Sequence, residues 1–246
     1  MDEIEIDIEL RPPDEVAARC VILAALLRRL WLETGATSAP GDEPAGEAFD
    51  LRGWLQAEGL WDRLTDFDAE LLNRPIGSLD DEDIANVTWQ AEALATLAWS
   101  LNFVNDLPAG GQGDIETIVK AMPAPWEQTS PWLQGARLRA EPEIARERER
   151  AEVYAWRIEV EPVRRAADSA ERAAIKATIA AVTREATAAG LIENAGGNDF
   201  SIDGQPVHTF DEGELERSAA LAGERLRALN WVCGFGDSWD QVPLEV

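Results

Sequence analysis

The chain has 246 residues, 46% of them hydrophobic, and ten tryptophans, a composition typical of a globular protein rather than a disordered one. Its 47 acidic and 22 basic side chains give a formal net charge of −25, which disfavours nucleic acid or an anionic membrane as partner and favours a basic protein. The longest apolar run, residues 20–27, is too short to cross a bilayer, and the acidic N-terminus lacks the features of a signal peptide. Two cysteines cannot build a disulfide framework. We therefore expect an acidic cytoplasmic protein, with the composition of a bacterial one, whose charge serves solubility or a basic partner.

The first elements along the chain are a predicted strand and a predicted helix. Residues 3–10 alternate acidic with aliphatic side chains, a period of two that indicates a half-buried strand. Pro12 and Pro13 end it, and Asp14 is placed to cap a helix that runs to about Glu33.

Most of the remaining chain has helical periodicity. The acids at residues 80–83 are interpreted as an N-terminal cap, since negative charge stabilises the start of a helix. Prolines at 123, 125 and 131 predict an irregular stretch, and Pro162 is predicted to kink or end the long helix that begins at Pro142. The further predicted helices are 51–58, 66–74, 84–101, 114–122, one after Pro162 that Gly190 ends, and 212–233.

A hairpin is predicted over residues 200–207, because Asp203-Gly204 supplies the positive φ angles of a type I′ turn. We expect the strand at 3–10 to pair with the Phe200–Ile202 arm, since Pro206 restricts the other arm to an edge. The predicted fold is therefore a mainly α single domain of about seven to nine helices with a small β element. Its segments are an N-terminal strand (1–13), a helical core (14–190), a hairpin insertion (191–210) and a C-terminal helix and tail (211–246).

Glu92 is the most informative single residue, because its helix is otherwise apolar all round. A carboxylate in that position must be paired, hydrogen-bonded or protonated. The arginines that are candidate partners lie in the last helix or just before the long charged one: Arg225, Arg227, Arg137 and Arg139. Two interpretations stay open, a buried ion pair that joins two helices and a polar pocket walled by tryptophan. The candidate cluster is Glu92, Trp89, Trp99, Arg137, Arg139, Glu224, Arg225, Asn230 and Trp231.

Patterns that would indicate catalysis or a cofactor are weak. The lone His208 follows the hairpin without a nucleophile elbow elsewhere in the sequence, and Cys20 and Cys233 give no zinc-ligand pattern. The glycines at 110–113 lack the lysine and hydroxyl of a phosphate-binding loop. The acidic clusters have no calcium-loop spacing. The sequence therefore predicts no catalytic residues, metal or cofactor.

Several short motifs resemble the bacterial family called domain of unknown function 4272. They are Glu15–Arg19, Trp89–Leu94, Leu97–Leu101, Arg137–Arg139 before Glu143-Ile144, the hairpin from Asp199 to Gly204, Gly223–Trp231 and Trp239–Val242, and together they span about residues 15–242. The resemblance implies a helical fold and no assigned activity. A histidine that often follows Glu-Arg in the family is Leu226 here, so no role that depends on that histidine carries over.

Three classes of function remain as hypotheses. The favoured one is a non-enzymatic intracellular protein that binds a protein partner, possibly basic, such as an immunity or accessory factor. The second is a small-ligand-binding or hydrolytic protein with a Trp-lined pocket around Glu92. The third is an acidic mimic of nucleic acid. The composition gives no indication of oligomeric state.

Overall fold

The computed structural model describes residues 8–35, 50–107, 114–192 and 197–244, and within them the chain is mainly α-helical, as predicted. The helices are α1 (Pro13–Thr34), α2 (Leu51–Ala57), α3 (Asp66–Asn73), α4 (Asp81–Ser100), α5 (Ile115–Ala121), α6 (Ser130–Gly135), α7 (Glu141–Ala166), α8 (Ser169–Ala188) and α9 (Glu212–Val232). Two short strands, β1 (Ser201–Ile202) and β2 (Gln205–Pro206), pair antiparallel. No helix of the described ranges combines the length and the hydropathy that a membrane span requires.

The main core is built where α4 packs against both α1 and α9. α1 has the buried face of a central helix, since every residue from Val16 to Leu27 is buried. α7 packs against α9 and α8. A second, smaller apolar cluster around Phe200 joins the hairpin to these helices through Ile158, Val207 and Leu215. The ionic groups discussed below lie at the edges of these two cores.

Asp14 does not cap the first helix as predicted, because α1 begins at Pro13 with Pro12 as its N-cap and no side-chain cap. The start of α4 agrees with its sequence signal. The Asp80 carboxylate accepts a hydrogen bond from the Asp83 backbone N–H, and the Asp83 side chain accepts one from the Asp80 N–H. This reciprocal capping box satisfies two amides at the start of α4, so the cap interpretation of residues 80–83 is confirmed. Asp203 and Gly204 both have positive φ angles (52° and 81°), as the predicted type I′ turn requires.

Two predictions from proline need correction. Residues 123–129 form no helix, but Pro131 lies in the first turn of α6, where its missing N–H removes no intrahelical bond, so the predicted irregular stretch ends in a helix. Pro162 lies inside α7, which continues to Ala166. Arg157 before the proline and Arg164 after it both bond the Glu161 carboxylate, and these contacts hold the last turn in place.

The predicted N-terminal strand falls mostly on residues 1–7, outside the described residues. Its described end, Ile8–Leu10, is not a strand, and the described sheet contains only β1 and β2, so residues 8–10 add no third strand to the hairpin. Instead the Arg11 N–H donates to the carbonyl of Val232 (2.9 Å). A Cβ on Gly234 would lie 2.4 Å from the Glu9 carbonyl oxygen, so the glycine after α9 permits this close approach. The division into segments of one domain stays a prediction.

Candidate functional site

Glu92 is sealed in an ion pair between α4 and α9. Its exposure is 1%, and Arg225 donates from Nε to Glu92 Oε1 at 2.8 Å and also from Nη2. The arginine of the last helix that pairs with Glu92 is therefore Arg225. Arg227, two residues further on, lies beside Glu224 instead, with 3.6 Å between Nε and Oε1. This geometry is that of a contact joining two helices rather than of an open pocket.

Three other predicted site residues, Trp99, Arg137 and Arg139, lie at the end of α4 and in the segment before α7. Arg139 donates from Nε to the Trp99 carbonyl (2.6 Å) and stacks its guanidinium over the Trp99 ring, 4.7 Å from the centroid. Arg137 donates to the carbonyl of Ala136 (2.6 Å). Arg139 therefore holds the segment before α7 against the end of α4, whereas the Arg137 contact is local.

Asn230 and Trp231 also have structural partners. The Asn230 amide accepts from Arg148 Nε (2.7 Å) and donates to the Pro243 carbonyl (2.8 Å), so it ties α7 to the C-terminal segment. Trp231 packs edge to face against Trp239, with 5.4 Å between the ring centroids. Both residues fix the position of the 3-10 turn Trp239–Gln241.

The remaining two candidates, Trp89 and Glu224, line a cavity of about 300 Å³ between α1, α3, α4, α9 and that turn. We call it the Glu224 cavity. Arg227 and Asp240 add charged groups to the wall. Trp239, buried at 5% exposure, lies in the lining with Trp89, so the walls are both aromatic and charged.

A larger groove of about 710 Å³ adjoins the Glu224 cavity and shares Arg19, Thr65, Trp239 and Asp240 with it. We call this the outer groove. Exposed acids border it at Asp62, Asp66 and Asp237.

A salt bridge and a helix cap hold the wall that the two spaces share. Asp68, fully buried, pairs with both terminal nitrogens of Arg19, the longer contact being 3.3 Å from Nη2 to Oδ1. Asp68 also accepts from the Thr65 N–H (3.0 Å) in the capping box of α3. The Arg19 guanidinium lies over the Trp239 ring at 4.5 Å from its centroid. The wall is therefore fixed before any ligand binds.

Two carboxyls of this region have a raised pKa. Burial raises the pKa of Glu224, and the nearby Arg227 and Arg19 offset this only in part. Burial together with the charge of Asp68 raises the pKa of Asp240, again against Arg19 and Arg227. Both acids are therefore positioned to gain from a cation that enters the cavity.

Sequence reasoning missed Arg19, Asp68 and Gln90 as site residues. A usable signal existed for Arg19, because it interrupts the apolar run of α1 as Glu92 interrupts that of α4. No comparable signal marks Asp68, which reads as an ordinary cap at the start of α3.

A second ionic cluster, also missed, lies where α7 meets the hairpin. Arg157 is fully buried and donates to Asp199 (Nε to Oδ1, 2.5 Å) and to Glu161 (Nη2 to Oε2, 3.0 Å). Arg164 and Arg165 also donate to Glu161. We call these five residues the Glu161 network. Although burial alone raises the pKa of Glu161, the hydrogen bonds from the three arginines lower it to about 2.

His208 belongs to the edge of this network. Its Nδ1 lies 2.8 Å from Asp199 Oδ2, and about half of its side chain is exposed. The ring therefore ties the segment after β2 to Asp199. Across the described ranges, no group of three or more histidine, cysteine or acidic side chains is placed to hold a metal ion.

The arrangement of helices and the cavity define a mainly helical protein with a charged, aromatic cleft. Residues 2–174 match the family described as Domain of unknown function (DUF4272), and the chain belongs to that family, as its motifs predicted. The match covers α1 to α7 and the start of α8, so the hairpin and α9 lie beyond it. No curated protein and no solved structure matches the chain.

Proposed function

We propose that this protein is a non-enzymatic binding protein of the cytoplasm, and that it engages a basic protein partner through the outer groove and the Glu224 cavity. The observation that carries the proposal is the pair of carboxyls, Glu224 and Asp240, with raised pKa in a cavity walled by Trp89 and Trp239. Such carboxyls gain a counter-charge when a cation binds, and aromatic rings attract cations through their π faces.

The charge around this cleft also favours a basic partner. Asp62, Asp66 and Asp237 are exposed at the groove, in a chain whose formal net charge is −25. Complementary charge raises the rate of encounter and selects against acidic partners. Cys20 and Cys233 are both buried free thiols, which agrees with a reducing compartment.

The pocket around Glu92 is the weaker candidate for ligand binding. Its carboxylate is sealed at 1% exposure and already bonded to Arg225. Among the predicted site residues, the proposal retains Glu224 and Trp89 in the Glu224 cavity and Trp231 in the outer groove.

Affinity capture from the native lysate, read by mass spectrometry, tests the proposal when three baits are compared. The groove variant is Asp62→Asn/Asp66→Asn/Asp237→Asn. The control variant, Glu159→Gln/Glu185→Gln/Glu216→Gln, removes the same charge from exposed acids on α7, α8 and α9.

We expect wild type and control to retain a basic protein that the groove variant loses. Raising the ionic strength from about 0.1 M to about 1 M shortens the screening length from about 10 Å to about 3 Å, so it should release that protein. Equal retention by the groove variant, or capture of acidic proteins alone, would contradict the proposal.

The same charge disfavours nucleic acid as a partner. We expect no saturable binding of fluorescent duplex DNA at physiological ionic strength, because the field of the protein repels the phosphates. Saturation at micromolar protein would show that the charge does not decide the partner.

A further inference from the structure

We propose that the Glu224 cavity anchors one basic residue, arginine or lysine, of the partner's chain. This inference rests on the proposed function, because it assigns the residue class that the cleft recognises. It is argued from hydrogen-bonding groups, charge balance and aromatic walls.

Of the eight buried side-chain atoms without a hydrogen-bond partner in the described residues, four belong to side chains that line this cavity. Within the described residues, buried side-chain atoms without a hydrogen-bond partner include Glu224 Oε2, Gln90 Oε1, Arg19 Nε and Arg227 Nε. All four residues line the Glu224 cavity, and Arg19 is only 3% exposed. Buried polar atoms in native proteins are normally paired, so four such atoms around one cavity point to a ligand that bonds with them.

The unpartnered atoms include both acceptors and donors, and this combination indicates the class of ligand. Glu224 Oε2 and Gln90 Oε1 are acceptors and need a donor, whereas Arg19 Nε and Arg227 Nε are donors and need an acceptor. A basic residue within a peptide supplies both, because its side chain carries only N–H donors and its main-chain carbonyl accepts.

Charge balance favours a cation as the ligand. The cavity is lined by two positive residues, Arg19 and Arg227, and by three acids, Asp68, Glu224 and Asp240, so its formal charge is negative by one. One ammonium or guanidinium group brings the site to neutrality.

The aromatic walls fit the same ligand. The Arg19 guanidinium lies over the Trp239 ring, 4.5 Å from its centroid, so this ring already interacts with a cation of the protein itself. Trp89 provides a second aromatic surface in the lining. Cations, arginine above all, are attracted to the face of an indole.

The test uses N-acetyl-arginine amide as probe, because it carries the side chain and peptide carbonyls without terminal charges. Its citrulline counterpart has nearly the same shape but no charge, and its lysine counterpart separates ammonium from guanidinium. Binding to the full-length ¹⁵N-labelled protein is followed through the indole N–H resonances of Trp89 and Trp239.

We expect a saturable shift with the arginine or the lysine probe and none with the citrulline probe. An equal shift with citrulline would show that shape rather than charge is recognised, and no shift with either cation would show that the cavity does not bind a basic residue. Either result overturns the inference.

Matched variants test whether the probe binds in the Glu224 cavity. Glu224→Gln should weaken the arginine probe about tenfold or more, since one buried charge partner is removed. Glu216→Gln, on an exposed position of the same helix, should leave it unchanged. Gln90→Leu, which removes an acceptor without a charge, provides a second test if Glu224→Gln fails to fold. Unchanged affinity in a folded Glu224→Gln or Gln90→Leu protein overturns the assignment.

Failure of this inference is distinguishable from failure of the proposed function. If the groove variant loses the captured partner while Glu224→Gln retains it, the anchor is wrong and the binding function stands. If the groove variant retains the partner, the binding function is wrong, and the probe titration still decides whether the cavity binds a basic residue.

Discussion

The Glu161 network and the Glu224 cavity contain the same residue types and differ in how their carboxyls are paired. Both oxygens of Glu161 accept hydrogen bonds, from Arg157, Arg164 and Arg165. Glu224 has Arg227 at 3.6 Å from Oε1, and its Oε2 has no hydrogen-bond partner among the described residues.

The pKa directions follow from this difference. Burial raises the pKa of both acids, but three arginines reverse the effect at Glu161 and bring it to about 2, whereas the pKa of Glu224 stays raised. The number of donors that reach a buried carboxylate, and not burial itself, therefore separates an acid that serves the fold from one that is open to a ligand.

Breaking the Glu161 network should have the largest effect on stability. Glu161→Ala leaves the fully buried Arg157 without one of its two carboxylates and frees Arg164 and Arg165. We expect a loss of about 3–5 kcal/mol in the free energy of unfolding, measured by urea denaturation. Glu159→Ala, exposed on the same helix, is the control and should change stability by less than about 0.5 kcal/mol. Similar effects of the two substitutions would contradict a structural role for the network.

Breaking the Glu92–Arg225 pair should have the next largest effect on stability. Glu92→Ala removes the carboxylate that accepts two hydrogen bonds from Arg225, which is 9% exposed, and should reduce stability by about 3 kcal/mol. We place this loss at the lower end because Arg225 still interacts with the charge of Glu147. Glu82→Ala, at an exposed position in the first turn of α4, should lose no more than about 1 kcal/mol of helix-dipole stabilisation. A thermal melt of Glu92→Ala that overlays the wild type would rule out a structural ion pair.

Low pH should remove the contribution of Glu161 to the free energy of unfolding. Its pKa in the folded protein is about 2 against an ordinary value of 4.5, so the stabilisation is full above about pH 4.5 and is lost as the pH falls towards 2. The difference in unfolding free energy between wild type and Glu161→Ala should therefore shrink over this interval. A difference that stays constant with pH would show that the carboxylate charge is not what stabilises the network.

Glu224→Gln should have the smallest effect. Because the pKa of Glu224 is raised, keeping it ionised at neutral pH opposes folding, and a neutral amide removes that penalty. With 15% of its side chain exposed, solvent screens part of the effect, so we expect stability unchanged or higher by less than about 1 kcal/mol. A loss as large as that of Glu161→Ala would make Glu224 a structural residue and remove the contrast between the two regions.

Much of the fold follows from local signals in the sequence. Aspartates at 80 and 114 start helices, and Asp203-Gly204 makes the turn of the hairpin. The Glu92 pair was predictable because a single acid in an apolar helix requires a partner, although the choice of Arg225 over Arg227 depends on the packing of α9 against α4.

The site was less predictable for a physical reason. Its residues come from α1, α3, α4, α9 and the C-terminal turn. No local sequence pattern predicts that Arg19 and Asp240 line the same cavity. The Glu161 network was missed although Arg157, Glu161 and Arg165 have i, i+4 spacing, because charges on a long helix usually face solvent. The same ion pairs join the parts of α7 before and after Pro162, which no local pattern predicts.

The most direct test of the contrast is an NMR titration of the Glu224 side-chain carboxyl, with and without N-acetyl-arginine amide. We predict a pKa above the ordinary glutamate value in the free protein, because burial outweighs the nearby arginines, and a lower pKa once the cationic probe binds. An ordinary pKa in the free protein, or a raised pKa that the probe leaves unchanged, would contradict the account.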